Sequence, residues 1–125
     1  LAWRGSRQPD GIGRVFGGQV IAQGLVAALR DVAPDRPLHS LHCYFMRAGT
    51  EEQEIDYLVR RDFDGGSFST RRIIALQEER PILTMTASFH RREEGFAHQE
   101  AMPDVPGPDE LPTEAERIAR ETDPE

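Results

Sequence analysis

Gly17-Gly18-Gln19 opens a stretch, residues 16–32, that carries no charge from Gly17 to Leu29. If this stretch is a helix, its first turn holds N–H groups without intrahelical partners and a partial positive charge, a ready seat for an oxyanion or a phosphate. Two glycines let a substrate carbonyl approach the backbone closely; they equally permit tight packing where a helix crosses a sheet. The pattern is neither a P-loop nor a GxGxxG fingerprint, since no Gly-Lys-Ser/Thr follows and no strand directly precedes it. Gln19 and Gln23 are four apart and share one face of an otherwise apolar helix. Buried amides need partners, so these two either line a ligand channel or hydrogen-bond the ends of strands.

A nucleophile and base are hard to assemble from the remaining residues. Ser40, Ser67, Ser69 and Ser88 lack a GxSxG setting, and Cys43 falls in a strand expected to be buried. His39 and His42 should alternate to opposite faces of one strand, unable to chelate a metal together, and are read as structural. Asp64 has the position of a turn-former in a hairpin. Arg71 and Arg72 are neighbours in a strand, so one faces solvent and could meet a phosphate. No carboxylate lies inside the helix, and no metal or cofactor is expected.

The lone cysteine among 125 residues excludes an internal disulfide and a cysteine-based zinc site, which fits a reducing, cytoplasmic setting. No run of 18 apolar residues is present, so no membrane span is expected. All 15 basic residues are Arg, which a GC-rich genome explains. Residues 1–90 hold 11 Arg against 11 acids, and residues 91–125 hold 4 Arg against 11, so the net charge of −7 belongs to the tail. That distribution argues against nucleic-acid binding through a broad basic surface.

The elements that must position these residues follow from periodicity. A helix apolar nearly all round is a buried helix, so residues 16–32 must be wrapped by something. Pro34 biases Ala33 away from helical geometry and ends it by Val32. Leu1–Gly5 is a plausible first edge strand, and residues 5–13 are rich in turn-formers. Residues 38–47 carry apolar and aromatic residues on both parities, as in a strand covered on both faces. Ile55, Tyr57 and Val59 alternate within 53–62, Asp64-Gly65-Gly66 signals a hairpin, and residues 67–78 form a long strand. Glu79-Arg80-Pro81 turns it into residues 82–90, where Leu83, Met85, Ala87 and Phe89 share one face. One helix and several hairpin-linked strands predict an antiparallel α+β sheet curled round a central helix. Four prolines crowd residues 103–112, read as a linker or extension, and Thr113 to Glu116 has the form of a capping box before a short helix.

Four phrases, Arg14-Val-Phe-Gly-Gly-Gln-Val20, His39-Ser-Leu-His-Cys-Tyr-Phe-Met-Arg47, Asp64-Gly-Gly-Ser-Phe-Ser-Thr-Arg-Arg72 and Met85-Thr-Ala-Ser-Phe89, together resemble acyl-CoA thioesterase II, the TesB-like family. Phe96-Ala-His-Gln99 and Met102-Pro103 continue the likeness, which covers roughly residues 13–112. Phe63 departs from it, standing where the family usually has a basic residue before Asp-Gly in a loop that meets the coenzyme. The resemblance implies a hotdog fold over residues 1–92, with 93–125 leading toward a second hotdog repeat of the same polypeptide. It implies hydrolysis of fatty acyl-CoA to free acid and CoA, with acyl-CoA, the second repeat and a homo-oligomeric partner as the molecules met. The family's Asp/Thr-or-Ser/Gln catalytic set belongs to the second repeat and matches no position here. Substrate contacts are expected from Gly17, Gly18, Gln19, Gln23, His39, Gly66, Ser67, Phe68 and Arg71. The alternative is a non-catalytic acyl-CoA-binding or assembly module, because a fold does not fix a function. A hotdog dehydratase is a weaker option, since its Asp/His pair has no match.

Overall fold

The computed structural model describes residues 2–6 and 13–122. The turn-rich loop read over 5–13 falls largely outside them. The described residues divide into two compact units after Glu94.

The first unit is one antiparallel sheet in the order β1-β3-β4-β5-β2, built from β1 (Ala2–Gly5), β2 (Leu38–Phe45), β3 (Ile55–Asp64), β4 (Phe68–Gln77) and β5 (Arg80–His90). Helix α1 (Gly17–Leu29) packs over β3, β4 and β5. Alternation decides which side chains meet it: Ile55, Tyr57 and Val59, then Ile73 and Ala75, then Leu83, Met85, Ala87 and Phe89 are all buried. From the helix, Val20, Gly24, Ala27 and Ala28 complete that core. Gly24 allows close approach there: a Cβ would come 3.2 Å from the Met85 methyl and 3.4 Å from both Ile73 and Tyr57.

The expected elements form, with two corrections. The helix runs to Leu29, capped by Arg30, and so ends by Val32 as expected. The turn between β4 and β5 is Glu78-Glu79, not Glu79-Arg80-Pro81. Both residues lie in the left-handed region, φ 48° and 61°, as a two-residue hairpin following the right-handed strand twist requires. Gln77 then pairs with Arg80, and Pro81 sits in β5 beside a register shift, past the last partner of β2, where a missing N–H costs no ladder bond. Second, β2 is not covered on both faces. It is the free edge of the sheet, and Tyr44 and Phe45 are 66% and 57% exposed. The far flank of α1 is open as well, at Val26 and Leu29.

The second unit contains a 3-10 turn, Pro108–Glu110, within the proline-rich run. It also contains the short helix α2 (Glu114–Thr122). The capping box forms: Thr113 N–H donates to the Glu116 carboxylate at 2.7 Å and Glu116 N–H to the Thr113 hydroxyl at 3.3 Å. No described helix is long and apolar enough to cross a membrane.

Candidate functional site

Helix α1 begins at Phe16, whose backbone is extended (φ −67°, ψ 128°) and which offers no side-chain cap. The N–H groups of Gln19 and Val20 both turn back to the Phe16 carbonyl, at 3.0 and 3.3 Å. Those of Gly17 and Gly18 have no hydrogen-bond partner among the described residues. No acid lies in the first turn to neutralise them, so the helix start keeps its partial positive charge.

This start opens on a groove of about 510 Å³ lined by Val15, Val20, Phe45, Met46, Ile82 and Leu83. A Cβ at Gly17 would come 2.9 Å from the Phe45 ring, so glycine lets the aromatic ring lie against the helix backbone. The wall's one charged side chain, Arg47, points away and donates to the Pro81 carbonyl at 2.7 Å. The geometry offers the Gly17 N–H at the wall of an apolar trough, with the unpartnered Gly18 N–H next to it in the chain, suited to a carbonyl oxygen with a long aliphatic tail.

Gln19 and Gln23 turn to the end of β1 instead. Both donate to the Ser6 carbonyl, at 3.4 and 3.0 Å, and the Gln23 Oε1 accepts from the Tyr57 hydroxyl at 3.0 Å. Both amides thus bond a strand end, and Gln23 also lines a pocket of about 380 Å³ with Trp3, Ser6 and Tyr57. Burial pushes the Tyr57 phenol well above its usual range, so it stays a donor. Gln23→Ala leaves that hydroxyl unpartnered in the core and is expected to cost about 1–3 kcal/mol, read as a fall in the thermal midpoint.

The other candidates gather at the opposite end of α1, about 20 Å away by helical rise. A register shift between Leu38 and Ser40 in β2 brings the His39 ring 5.9 Å from Phe68 and 5.7 Å from His90. Phe68 stacks on His90 at 4.0 Å. These rings share the parity of Thr86, the partner of His42, so the bulge undoes the expected placement of the two histidines on opposite faces. They still stand apart, His42 against Tyr44, and no described cluster could hold a metal ion.

Arg71 is not the solvent-facing arginine of its pair. It shares the inward parity of Ile73 and Ala75 and is 1% exposed. Its guanidinium donates to the carbonyls of Asp31 (2.6 Å), Phe63 (3.1 Å) and Thr70 (3.0 Å) and to the Asp64 carboxylate (2.9 Å). Its Nε lies 2.9 Å from Asp31 Oδ2 without a hydrogen-bonding angle, so that contact is ionic only. Arg72 is the outward one, paired with Asp62 at 2.9 Å. Buried and fully engaged, Arg71 has no face left for a phosphate.

Asp31 and Asp64 are held below the usual carboxylate range. For Asp31 the chief cause is its hydrogen bond from Arg61, with the Arg61 and Arg71 charges adding to it. For Asp64 it is the Ser69 hydroxyl, then Arg71. A folded pKa below the unfolded one stabilises the protein above the unfolded value, about 3.9 for Asp. Stability is therefore expected to hold at neutral pH and to fall as pH drops through about 4 and below, with the loss much reduced in an Asp31→Asn variant, checked by urea unfolding at several pH values.

Arg36 was not singled out from the sequence. Its side chain is 13% exposed, and it donates to the Gly65, Gly66 and Phe68 carbonyls and to the Ser69 hydroxyl at 2.7–3.1 Å. The Asp35-Arg36-Pro37 connection, between helix and sheet, gave no local sign of this long-range role.

Residues 6–90 match the family described as the acyl-CoA thioesterase N-terminal domain. Acyl-coenzyme A thioesterase 8 of Homo sapiens is 46% identical over 99 residues, 78% of this chain and 31% of its own length. The chain therefore spans about a third of that curated relative. Among solved structures, acyl-CoA thioesterase II TesB2 from Mycobacterium marinum superposes with TM-score 0.76 at 45% identity, over 86% of this chain and 39% of that one. A protein of unknown function with a hot dog fold from Alicyclobacillus acidocaldarius gives TM-score 0.67 at 25% identity, over 89% of this chain and 42% of that one. The sheet laid round a central helix is the hotdog fold in this chain too.

Proposed function

This chain belongs to the acyl-CoA thioesterase N-terminal domain family, and on that premise we propose that it is the first hotdog half of an enzyme hydrolysing fatty acyl-CoA to free fatty acid and CoA. The observation that carries the reading is the start of α1: unpartnered N–H groups at Gly17, which lines an apolar groove, and at its neighbour Gly18, with no acid in the first turn. The thioester carbonyl oxygen would accept from these donors while the acyl chain lies along Val20, Ile82 and Leu83. As water's oxygen bonds to the carbonyl carbon, negative charge grows on that oxygen, and preorganised N–H groups stabilise it. The carbon–sulfur bond then breaks and the CoA thiolate takes up a proton. Activating the water needs a positioned base, which falls to a second hotdog repeat.

That repeat has a place to go. The free edge of β2 offers unpaired backbone groups together with exposed Tyr44 and Phe45, a combination that invites strand pairing. The open flank of α1 at Val26 and Leu29 and the edge at β2 both suit an apolar partner, the second repeat first and further copies of the chain beyond it. Residues 93–125 would lead to that repeat, and the lone Cys43 suits a cytoplasmic setting. At the far end, Gly66, Ser67 and Phe68 would meet the nucleotide end of the coenzyme, with His39 as a ring neighbour.

Thiol release from medium- and long-chain acyl-CoA by the full-length protein tests the reading. Release with saturation is expected. Calorimetric binding of acyl-CoA with no thiol released would instead favour a non-catalytic acyl-CoA-binding module.

A further inference from the structure

The turn between β3 and β4 has an unusual hydrogen-bond balance. Every carbonyl from Gly65 to Phe68 is already satisfied. Arg36 donates to Gly65 O (2.9 Å), Gly66 O (3.1 Å) and Phe68 O (2.9 Å), and the Arg91 N–H donates to Ser67 O (3.0 Å). Gly65 N–H closes the turn onto Phe68 O at 2.8 Å. The N–H groups of Gly66 and Ser67 have no partner among the described residues, and a Cβ at Gly66 would meet nothing within 4 Å. The turn thus has two spare N–H donors, while each of its carbonyls already accepts at least one bond. Such a surface suits the oxygens of an anion, which accept and do not donate.

Holding it this way is costly. The carbonyls of an exposed turn are satisfied by water at no cost in side-chain order, yet here a guanidinium is nearly withdrawn from solvent to bind them, with its Nε buried, without a hydrogen bond, and 4.0 Å from Asp35 Oδ1. Arg, unlike Lys, presents several donors in one rigid plane, so a single side chain fixes three carbonyls and the Ser69 hydroxyl together. A turn held in one geometry loses little further freedom when a ligand binds.

We propose that Arg36 is a positioning residue which presents the Gly66 and Ser67 N–H groups to a phosphate of the coenzyme's nucleotide end. Arg36 touches no substrate. It acts by turning the loop's carbonyls inward. Three carboxylates stand near this turn: Glu93, bonded to the Ser67 hydroxyl at 2.8 Å and 3.4 Å from His90 Nε2, Asp64, engaged by Arg71 at 2.9 Å, and Asp35, paired with Arg91 at 3.0 Å. A phosphate would sit on the Gly66 side of Glu93. This inference rests on the acyl-CoA reading above and deepens it.

The test uses the full-length protein and two substrates that share an acyl group, an acyl-CoA and the matching acyl-pantetheine thioester, which lacks the nucleotide. In Arg36→Lys the KM for acyl-CoA is expected to rise about tenfold with kcat nearly unchanged, and the KM for acyl-pantetheine to move little. Equal changes for both substrates, or no change for either, would overturn the proposal. Should the variant not fold, the wild-type protein gives a second readout: adenosine 3′,5′-bisphosphate is expected to shift the Gly66 and Ser67 backbone amide resonances more than those of the α1 start. The reverse order would overturn it too. Failure of the wild-type protein to hydrolyse any acyl-CoA contradicts the underlying reading, whereas hydrolysis without the substrate split contradicts this inference alone.

Discussion

Arg71→Met is expected to destabilise the protein by about 3–5 kcal/mol, the cost of breaking a buried ion pair from one side. The loss comes from what remains behind. Asp31 keeps Arg61 and Asp64 keeps Ser69, so the carboxylates are not abandoned. The carbonyls of Asp31, Phe63 and Thr70, however, lose their donor together, at the point where the end of α1 is tied to the β3–β4 turn. The neighbouring Arg72 provides the control. It is half-exposed and pairs with Asp62 across the same two strands, so Arg72→Met should cost under about 1 kcal/mol, as exposed pairs do. Urea unfolding compares them through the midpoint at constant slope. Equal effects would mean that the inner network carries no special weight.

Gly17→Pro has the largest expected effect on catalysis, provided the full protein is the thioesterase proposed. Proline is well tolerated at the first helical position. Phe16 already has the extended backbone that a residue before proline requires (φ −67°, ψ 128°). The fold should therefore survive, with a small movement of the exposed Phe45 ring to clear the added carbons. One N–H donor is deleted, and the movement of the Phe45 ring is the one other change at the groove. Removing one donor from an oxyanion site typically lowers kcat by about 10²–10³, and that drop is expected here with KM little changed. A variant of wild-type stability and wild-type kcat would take the α1 start out of the mechanism.

Much of this architecture was legible because single residues report burial when they alternate. Leu83, Met85, Ala87 and Phe89 disclosed the inner face of β5, and the uncharged run from Gly17 to Leu29 disclosed the helix. What stayed hidden was long-range or belongs to a neighbour. The aromatic and apolar residues of β2 were read as covered on both faces, yet composition cannot distinguish burial within a chain from a surface awaiting a partner. Arg71 and Arg72 were correctly placed on opposite faces, but both parities of β4 carry apolar residues (Ile73 and Ala75, Ile74 and Leu76), so the inner one was ambiguous. The parity of His39 was lost to a bulge that no local residue announces. Arg36 escaped notice altogether, because its partners lie about thirty residues away and no periodicity records such a bond.

The most direct test of the central claim, that these residues form one half of a two-part active site, is thiol release from a long-chain acyl-CoA. It is measured with the 125 residues alone, with the rest of the full-length protein alone, and with the two combined. The account predicts turnover only when both parts are present, abolished or sharply lowered by Gly17→Pro in the part described here. Full turnover by these 125 residues alone, or turnover by the rest of the protein that their addition leaves unchanged, would contradict it.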